Sequence, residues 1–264
     1  MTIKIPKNYM GKPIEGSLER VLASAPAIPD ATTIAQPIVV PTPANINDPQ
    51  NYIILPGKTH GNYSYSDLLV AMERTHRGKN WEDSHRALSQ ENSFMLNIRQ
   101  FADFLNLIRS KKAYDGNGIL IDERKIDSIL DLILTVRDPW RSEWLDAKFE
   151  SKGGLMGVGK KMHIQYGYGI NSNGQLCFTS EFPLDDYLSS NKTPGIDTND
   201  WLSNANKFGL PKSDVKDGNL YYWRPTDGSV AGFGANSDGA SLGCGGDASY
   251  ASSSLGVRAA RPKK

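Results

Sequence analysis

The chain has 264 residues, of which 39% are hydrophobic and 22% charged, the balance of a globular protein able to bury one good core or two small ones. Its formal net charge of +1 gives no electrostatic case for nucleic acid or an anionic membrane as the main partner. No apolar run approaches the roughly 20 residues that span a bilayer, so no membrane span is expected. The beginning of the chain lacks the apolar core of a secretory signal peptide; export by that route is not expected, and surface display by another route stays open.

Residues 1–50 are rich in Pro, Ala, Ile and Thr, and the proline spacing predicts an extended N-terminal arm rather than helix. Ile34, Ile38, Val39 and Val40 would let part of that arm lie on a folded body. From about 64 to 137 the pattern reads as helical, and residues 51–139 are expected to form a small helical layer. Ser64 and Asp67 resemble a helix start, with Leu68, Leu69 and Met72 on one face. Asn80 starts a short helix over 81–89, and Ile98, Phe101, Phe104, Leu105 and Ile108 mark the next. Asp122 caps a further helix with Ile126, Ile129, Leu130, Ile133 and Leu134 on its buried face. From Trp140 the period shifts to strands: 144–149 alternates, and 163–170 with 175–180 form a hairpin around Asn171-Ser172-Asn173-Gly174. Residues 197–206 suit a short helix holding Trp201 and Leu202, and 220–223 another strand. There is no internal repeat.

Several motifs suggest chemistry and fail on context. Gly154-Leu155-Met156-Gly157-Val158-Gly159-Lys160 lacks the closing Ser/Thr of a phosphate loop, having Lys161 there, and residues 163–169 after it do not have a helical pattern. Gly239-Ala240-Ser241-Leu242-Gly243 matches a nucleophile elbow, but Gly243-Cys244-Gly245-Gly246 cannot begin a stable helix. All four histidines (His60, His76, His85 and His163) also lie upstream of the serine. They lack metal-ligand spacing and are expected as solvated or hydrogen-bonding side chains. Thr198-Asn199-Asp200 and Asp185-Asp186 read as caps and turns, not calcium loops. Asn62-Tyr63-Ser64 and Asn191-Lys192-Thr193 are glycosylation sequons, informative only for a secreted protein. Cys177 and Cys244 cannot build a multi-thiolate zinc site; both are expected as small buried side chains, with a single disulfide left open.

The stretch over residues 224–258 is unlike the rest. It contains no Lys, Glu, Gln, Met or Trp, types that recur elsewhere in the chain. Phe233, Ala235, Ser237, Ala240, Leu242 and Cys244 form an apolar or small skeleton. Gly232, Gly234, Asn236, Asp238, Gly239, Ser241, Gly243, Gly245 and Gly246 are interleaved with it. The alternation is that of a strand buried on one face, but the outward positions are far smaller than ordinary surface residues.

This pattern resembles the variable proteins of diversity-generating retroelements, nearest to their archaeal and small-genome bacterial members. The likeness is carried by Leu220-Tyr221-Tyr222-Trp223-Arg224-Pro225 and Asp227-Gly228-Ser229-Val230-Ala231, then by the skeleton above and the closing Leu255-Gly256-Val257-Arg258-Ala259. Glu143-Trp144-Leu145-Asp146-Ala147 looks like the entry into the same domain. The resemblance covers about residues 140–264. In such systems a reverse transcriptase miscopies template adenines. Codons AAC and AAT mutated at both adenines cannot reach Lys, Glu, Gln, Met or Trp, the types missing here, although a Gly/Ser-rich loop can also lack them.

The resemblance implies a C-type lectin-like domain over 140–264, with a variable region of about 224–258, behind the helical layer: an α+β protein. Core substitutions typically cost about 2–5 kcal/mol against a total stability of about 5–15, so Phe233, Leu242, Cys244, Leu255 and Val257 must stay fixed. The ligand surface it implies comprises Gly232, Gly234, Asn236, Asp238, Gly239, Ser241, Gly243, Gly245, Gly246, Tyr250, Ala251 and Ser252. Tyr250 is the one aromatic candidate in that set, so weak binding is expected of this copy. The expected function is non-covalent recognition of a protein or cell-surface ligand, without catalysis, cofactor or metal. The rivals are a phage or cell-surface fibre component with an invariant Gly-rich tip, and a relative of the formylglycine-generating oxidases. The oxidase would need paired reactive cysteines or a metal site.

Overall fold

The computed structural model describes Asn8, Tyr9, Lys12, Pro13 and residues 48–153 and 159–264. Ile34, Ile38, Val39 and Val40, and the centre of the glycine loop at 154–158, lie outside the described residues. The chain divides into two compact units, Met1–Pro43 and Ala44–Lys264. In the first, β1 (Asn8–Tyr9) pairs antiparallel with β2 (Lys12–Pro13). The second is an α+β body built on two main sheets.

Residues 52–71 form strands, not the expected helix. They are β3 (Tyr52–Leu55), β4 (Lys58–His60), β5 (Tyr63–Tyr65) and β6 (Leu68–Ala71). Asp67 starts no helix; its carboxylate accepts the Gly57 N–H at 2.9 Å across the β4–β5 hairpin. Leu68, Val70 and Ala71 are buried because β6 lies between β3 and the closing strand of the chain. A Leu-Leu-Val run suits helix and strand alike, and these distant partners decide it. The hairpin is held to the helix behind it at Asp103, which Lys58 (3.2 Å), His60 (2.7 Å), Tyr65 (2.8 Å) and Arg99 (3.0 Å) all reach. Burial would raise that carboxyl; Arg99 and the hydrogen bonds from Tyr65 and His60 outweigh it and hold it below its ordinary value.

Three helices form where period and caps predict. α1 (Trp81–Gln90) starts at Asn80, whose side chain accepts the Asp83 N–H. α2 (Ile98–Arg109) opens with a reciprocal capping box between Asn97 and Gln100, which satisfies two of the N–H groups a helix start leaves open. α3 (Glu123–Leu134) is capped by Asp122 and buries Ile126, Ile129 and Ile133. Between α1 and α2, β7 (Phe94–Met95) joins the four-stranded sheet β3-β6-β18-β7, whose member β18 (Ala259–Pro262) comes from the far end of the chain. Residues 51–139 therefore supply strands as well as helices, and the last strand is woven between two of them.

The larger sheet runs β12-β9-β8-β15-β16-β14-β13, with β17 on a free edge of β8. Its members are β8 (Arg141–Lys152), β9 (Lys161–Tyr166), β12 (Ser180–Pro183), β13 (Lys192–Ile196), β14 (Leu220–Trp223), β15 (Val230–Ala235), β16 (Ala240–Gly246) and β17 (Leu255–Val257). A side hairpin, β10 (Gly169–Ile170) with β11 (Leu176–Cys177), turns at Asn171–Gly174 as expected, with Gly174 at φ +75°. It leaves Cys177 exposed, against expectation, because this two-residue strand lies outside the main sheet; Cys244 is buried, and both thiols are free. α4 (Thr198–Asn204) follows β13 and carries the buried Trp201 and Leu202.

One cross-strand row of the sheet, Glu143–Phe233–Leu242–Tyr222, points wholly into the core. Phe233 stacks on Trp201 (5.9 Å between ring centres, 9° between planes) and packs against Phe101 of α2 at 5.1 Å. Glu143 is buried but paired: Arg258 grips it through Nε (3.0 Å) and Nη2 (3.1 Å), and Nη1 donates to the carbonyls of Ala71 and Met72. The fork joins entry strand, closing segment and second sheet at one point, and planar bidentate geometry is what makes a buried pair of this kind tolerable.

Candidate functional site

The rows on either side of the core row face outward. One reads Trp144–Gly232–Gly243–Trp223 across β8, β15, β16 and β14; the next reads Ser142–Gly234–Ser241–Tyr221. Because side chains alternate faces along a strand, burying Phe233, Leu242 and Cys244 necessarily turns Gly232, Gly234, Ser241, Gly243 and Gly245 the other way. They floor a groove of about 450 Å³. Its walls are tryptophans: Trp223 is 46% exposed, Trp144 lies flat at 5%, and Trp140 stacks on Tyr250 (6.3 Å, 28°). Arg224 is the one charged side chain lining it among the described residues, and no carboxylate does. A smaller recess of about 200 Å³ continues past Ser142, Gly234 and Ser241 to Asn236.

Of the residues named from the sequence, Gly232, Gly234, Ser241, Gly243, Gly245, Gly246 and Tyr250 meet in the groove, and Asn236 joins the recess. Asp238 is exposed at the tip of the β15–β16 turn, where Asn236 Oδ1 accepts the N–H groups of Asp238 (2.9 Å) and Gly239 (3.1 Å). Ser237, placed in the skeleton by alternation, is exposed because that turn breaks the strand period. Gly239 is buried under the Tyr221 ring, not displayed. Ala251 is exposed and Ser252 half-buried in the loop beyond Tyr250, outside the groove lining.

The glycines differ in what they can carry. A Cβ on Gly243 or Gly245 would meet its nearest neighbour at 3.7 or 3.6 Å, an ordinary contact. On Gly232 it would come within 3.2 Å of the Glu143 carbonyl. On Gly234 it would lie 2.8 Å from both Arg141 O and Ser142 Oγ, and on Gly246 2.9 Å from Val230 O and 3.3 Å from the Trp144 ring. Gly246 follows an irregularity in the β15–β16 register, between Val230 and Gly232. That shift returns Gly246 to the flank of Trp144, as a bulge re-aims the residues after it. Gly246 thus makes room for the Trp144 indole and Gly232 for the Glu143 carbonyl, whereas Gly243 and Gly245 open on the groove itself.

Sequence reasoning missed the walls. Trp140 and Trp144 lie four residues apart around the start of β8, Trp223 is far from both in the chain, and only the strand register sets Trp144 and Trp223 in one row. Tyr250 is the one aromatic among the surface residues named from the sequence, and in the groove it is joined by tryptophans from outside residues 224–258.

Ser241 sits on a strand rather than an elbow. Among the described residues no group of three or more His, Cys, Asp or Glu comes together, and no helix is long and apolar enough to cross a membrane. His76 lies 3.2 Å from Glu91 and His163 3.7 Å from Glu181. Asp197 caps α4 through the N–H groups of Asn199 and Asp200, and Asn191 Oδ1 accepts the Arg224 N–H at 2.9 Å. Asp146 is fully enclosed; burial pushes its carboxyl up to about 7, although it accepts N–H groups from Gly167 (2.7 Å) and Tyr168 (3.4 Å). Burial pushes His85, beside it, down to about 3. His85 Nε2 stands 3.7 Å from Asp146 Oδ1 and has no hydrogen-bond partner.

Comparison of the chain with family models, with curated proteins and with solved structures returned no match.

Proposed function

We propose that this chain is a binding protein that recognises a protein or cell-surface target non-covalently through the groove on β15 and β16, with the side chains at its floor and rim open to diversification. One observation carries the reading: the buried row Phe233–Leu242 fixes the backbone of both strands, while their alternate residues form the floor of a concave surface. Backbone pairing makes such a surface independent of which side chains it bears. A concave site walled by aromatics is the usual form of a ligand pocket, and aromatic anchors carry most interface energy. The resemblance to retroelement variable proteins, and with it a C-type lectin-like domain, belongs to the same proposal. It is tested in the DNA beside the gene, where a reverse transcriptase and a template repeat matching codons 224–258 are expected; neither being present would remove the diversification half of the reading.

A second reading has one observation in its favour. Gly234 and Gly246 leave no space for a Cβ on the backbone as it stands, which suits an invariant glycine-rich tip, as in a fibre component. The two readings part at Gly243 and Gly245, where the space is open: diversification fills these positions differently from copy to copy, and a fixed tip keeps them glycine.

A further inference from the structure

The groove's constant walls define what every occupant must bring. Trp140, Trp144 and Trp223 lie outside residues 224–258, so they stay while the floor varies. Trp144 and Trp223 stand at the two ends of a row whose middle members, Gly232 and Gly243, have no side chain. Strands about 4.8 Å apart put the backbones of the two tryptophans about 14 Å from each other; the Trp144 indole lies beside Gly232 and Gly246, which leaves Gly243 as bare backbone next to Trp223. A slot of this form, within a groove of about 450 Å³, takes one flat ring on the floor with its edge or face toward an indole. Arg224, exposed at the rim as the one charge among the described lining residues, favours a carboxylate beside that ring.

Resting on the binding role above, we propose that the groove takes an aromatic side chain flanked by an acidic residue, presented by an extended segment of a partner protein, and that the aromatic requirement is common to all floor variants. A sugar fits less well. Ser142 Oγ already donates to Phe233 O (2.8 Å), and Asn191 Oδ1 already accepts the Arg224 N–H. Two of the polar side chains that would meet sugar hydroxyls are thereby engaged with backbone, while the walls offer ring faces.

The test is selection of a displayed random heptapeptide library on the immobilised full chain, in parallel with Trp223→Ala, Trp223→Phe and Arg224→Glu. Both sites are exposed, and matching thermal melts confirm that the baits are folded. Enriched peptides should carry Phe, Tyr or Trp with Asp or Glu within two positions. Recovery should fall at least tenfold on Trp223→Ala and hold on Trp223→Phe. On Arg224→Glu the acidic flank should give way to Lys or Arg. No enrichment, enrichment without an aromatic, recovery unchanged on Trp223→Ala, or binding instead to a panel of neutral glycans would each overturn the proposal. Failure here with a hypervariable gene end condemns only the ligand class. Success with an invariant gene end condemns only diversification.

Discussion

Gly234 and Gly243 look alike in the sequence and should respond oppositely to the same methyl group. The Gly234→Ala methyl would sit 2.8 Å from the Arg141 carbonyl and 2.8 and 2.9 Å from Oγ and Cβ of Ser142, all on the central strand β8. Those atoms would have to retreat by about half an ångström, and overpacking of this kind costs about 1–3 kcal/mol. Strand β8 has little freedom to yield, since the same stretch carries the Glu143–Arg258 fork and Arg141, whose Nη2 donates to the carbonyls of Asp131 and Thr135. For a folded body of this size each kcal/mol is worth about 2–4 °C, so a melting-point loss of about 4–8 °C is expected for a cost near 2 kcal/mol. Gly243→Ala meets nothing nearer than 3.7 Å, and removing a glycine from a strand gains about 0.5–1 kcal/mol, so its melting point should hold or rise slightly. Thermal melts followed by circular dichroism, with urea midpoints to confirm that the slope is unchanged, measure both. Equal shifts in the two variants would refute the division of the glycines into packed and open positions.

Glu143→Gln should lose about 3–5 kcal/mol in urea unfolding, because it strands the buried Arg258 guanidinium, and Glu143→Leu with Arg258→Met should recover most of that loss. The pH dependence of Asp146→Asn isolates a buried carboxyl. Asp146 titrates near 7 in the fold against about 3.8 unfolded, so its contribution is complete below about 4 and is lost as pH rises through 7. His85, lowered to about 3, works in the opposite sense and offsets it over much of that range. The urea stability of the variant relative to the natural chain should therefore climb between pH 4 and 7, by at most about 1.4 kcal/mol per unit; parallel profiles would contradict this.

The helices were legible because their information is local. Asn80 and Asp122 stand where caps belong, and the apolar residues of all three helices keep a helical period. The alternation from Phe233 to Cys244 was legible for the same reason. Residues 64–72 were not: Leu68-Leu69-Val70 carries no period of its own, and its partners Tyr52–Leu55 and Ala259–Pro262 lie at opposite ends of the folded unit. The site divided likewise. Its floor could be read from alternation, but its walls required the register that sets Trp144, Gly232, Gly243 and Trp223 in one row. A glycine in a sequence also does not say what stands over it. Gly239 faces a tyrosine ring, Gly246 an indole, and Gly243 open space.

The division between fixed skeleton and open surface is tested most directly by sequencing the 3′ end of the gene from many clones of one population. Amino-acid changes should concentrate at Asn236, Asp238, Ser241, Gly243, Gly245, Tyr250, Ala251 and Ser252. Changes should be fewer at Gly232, Gly234, Gly239 and Gly246, where a side chain meets backbone or a ring, and absent from Phe233, Leu242, Cys244, Leu255 and Val257. Substitutions scattered evenly over residues 224–258, reaching Phe233 and Leu242, would contradict the account, as would an end that never varies.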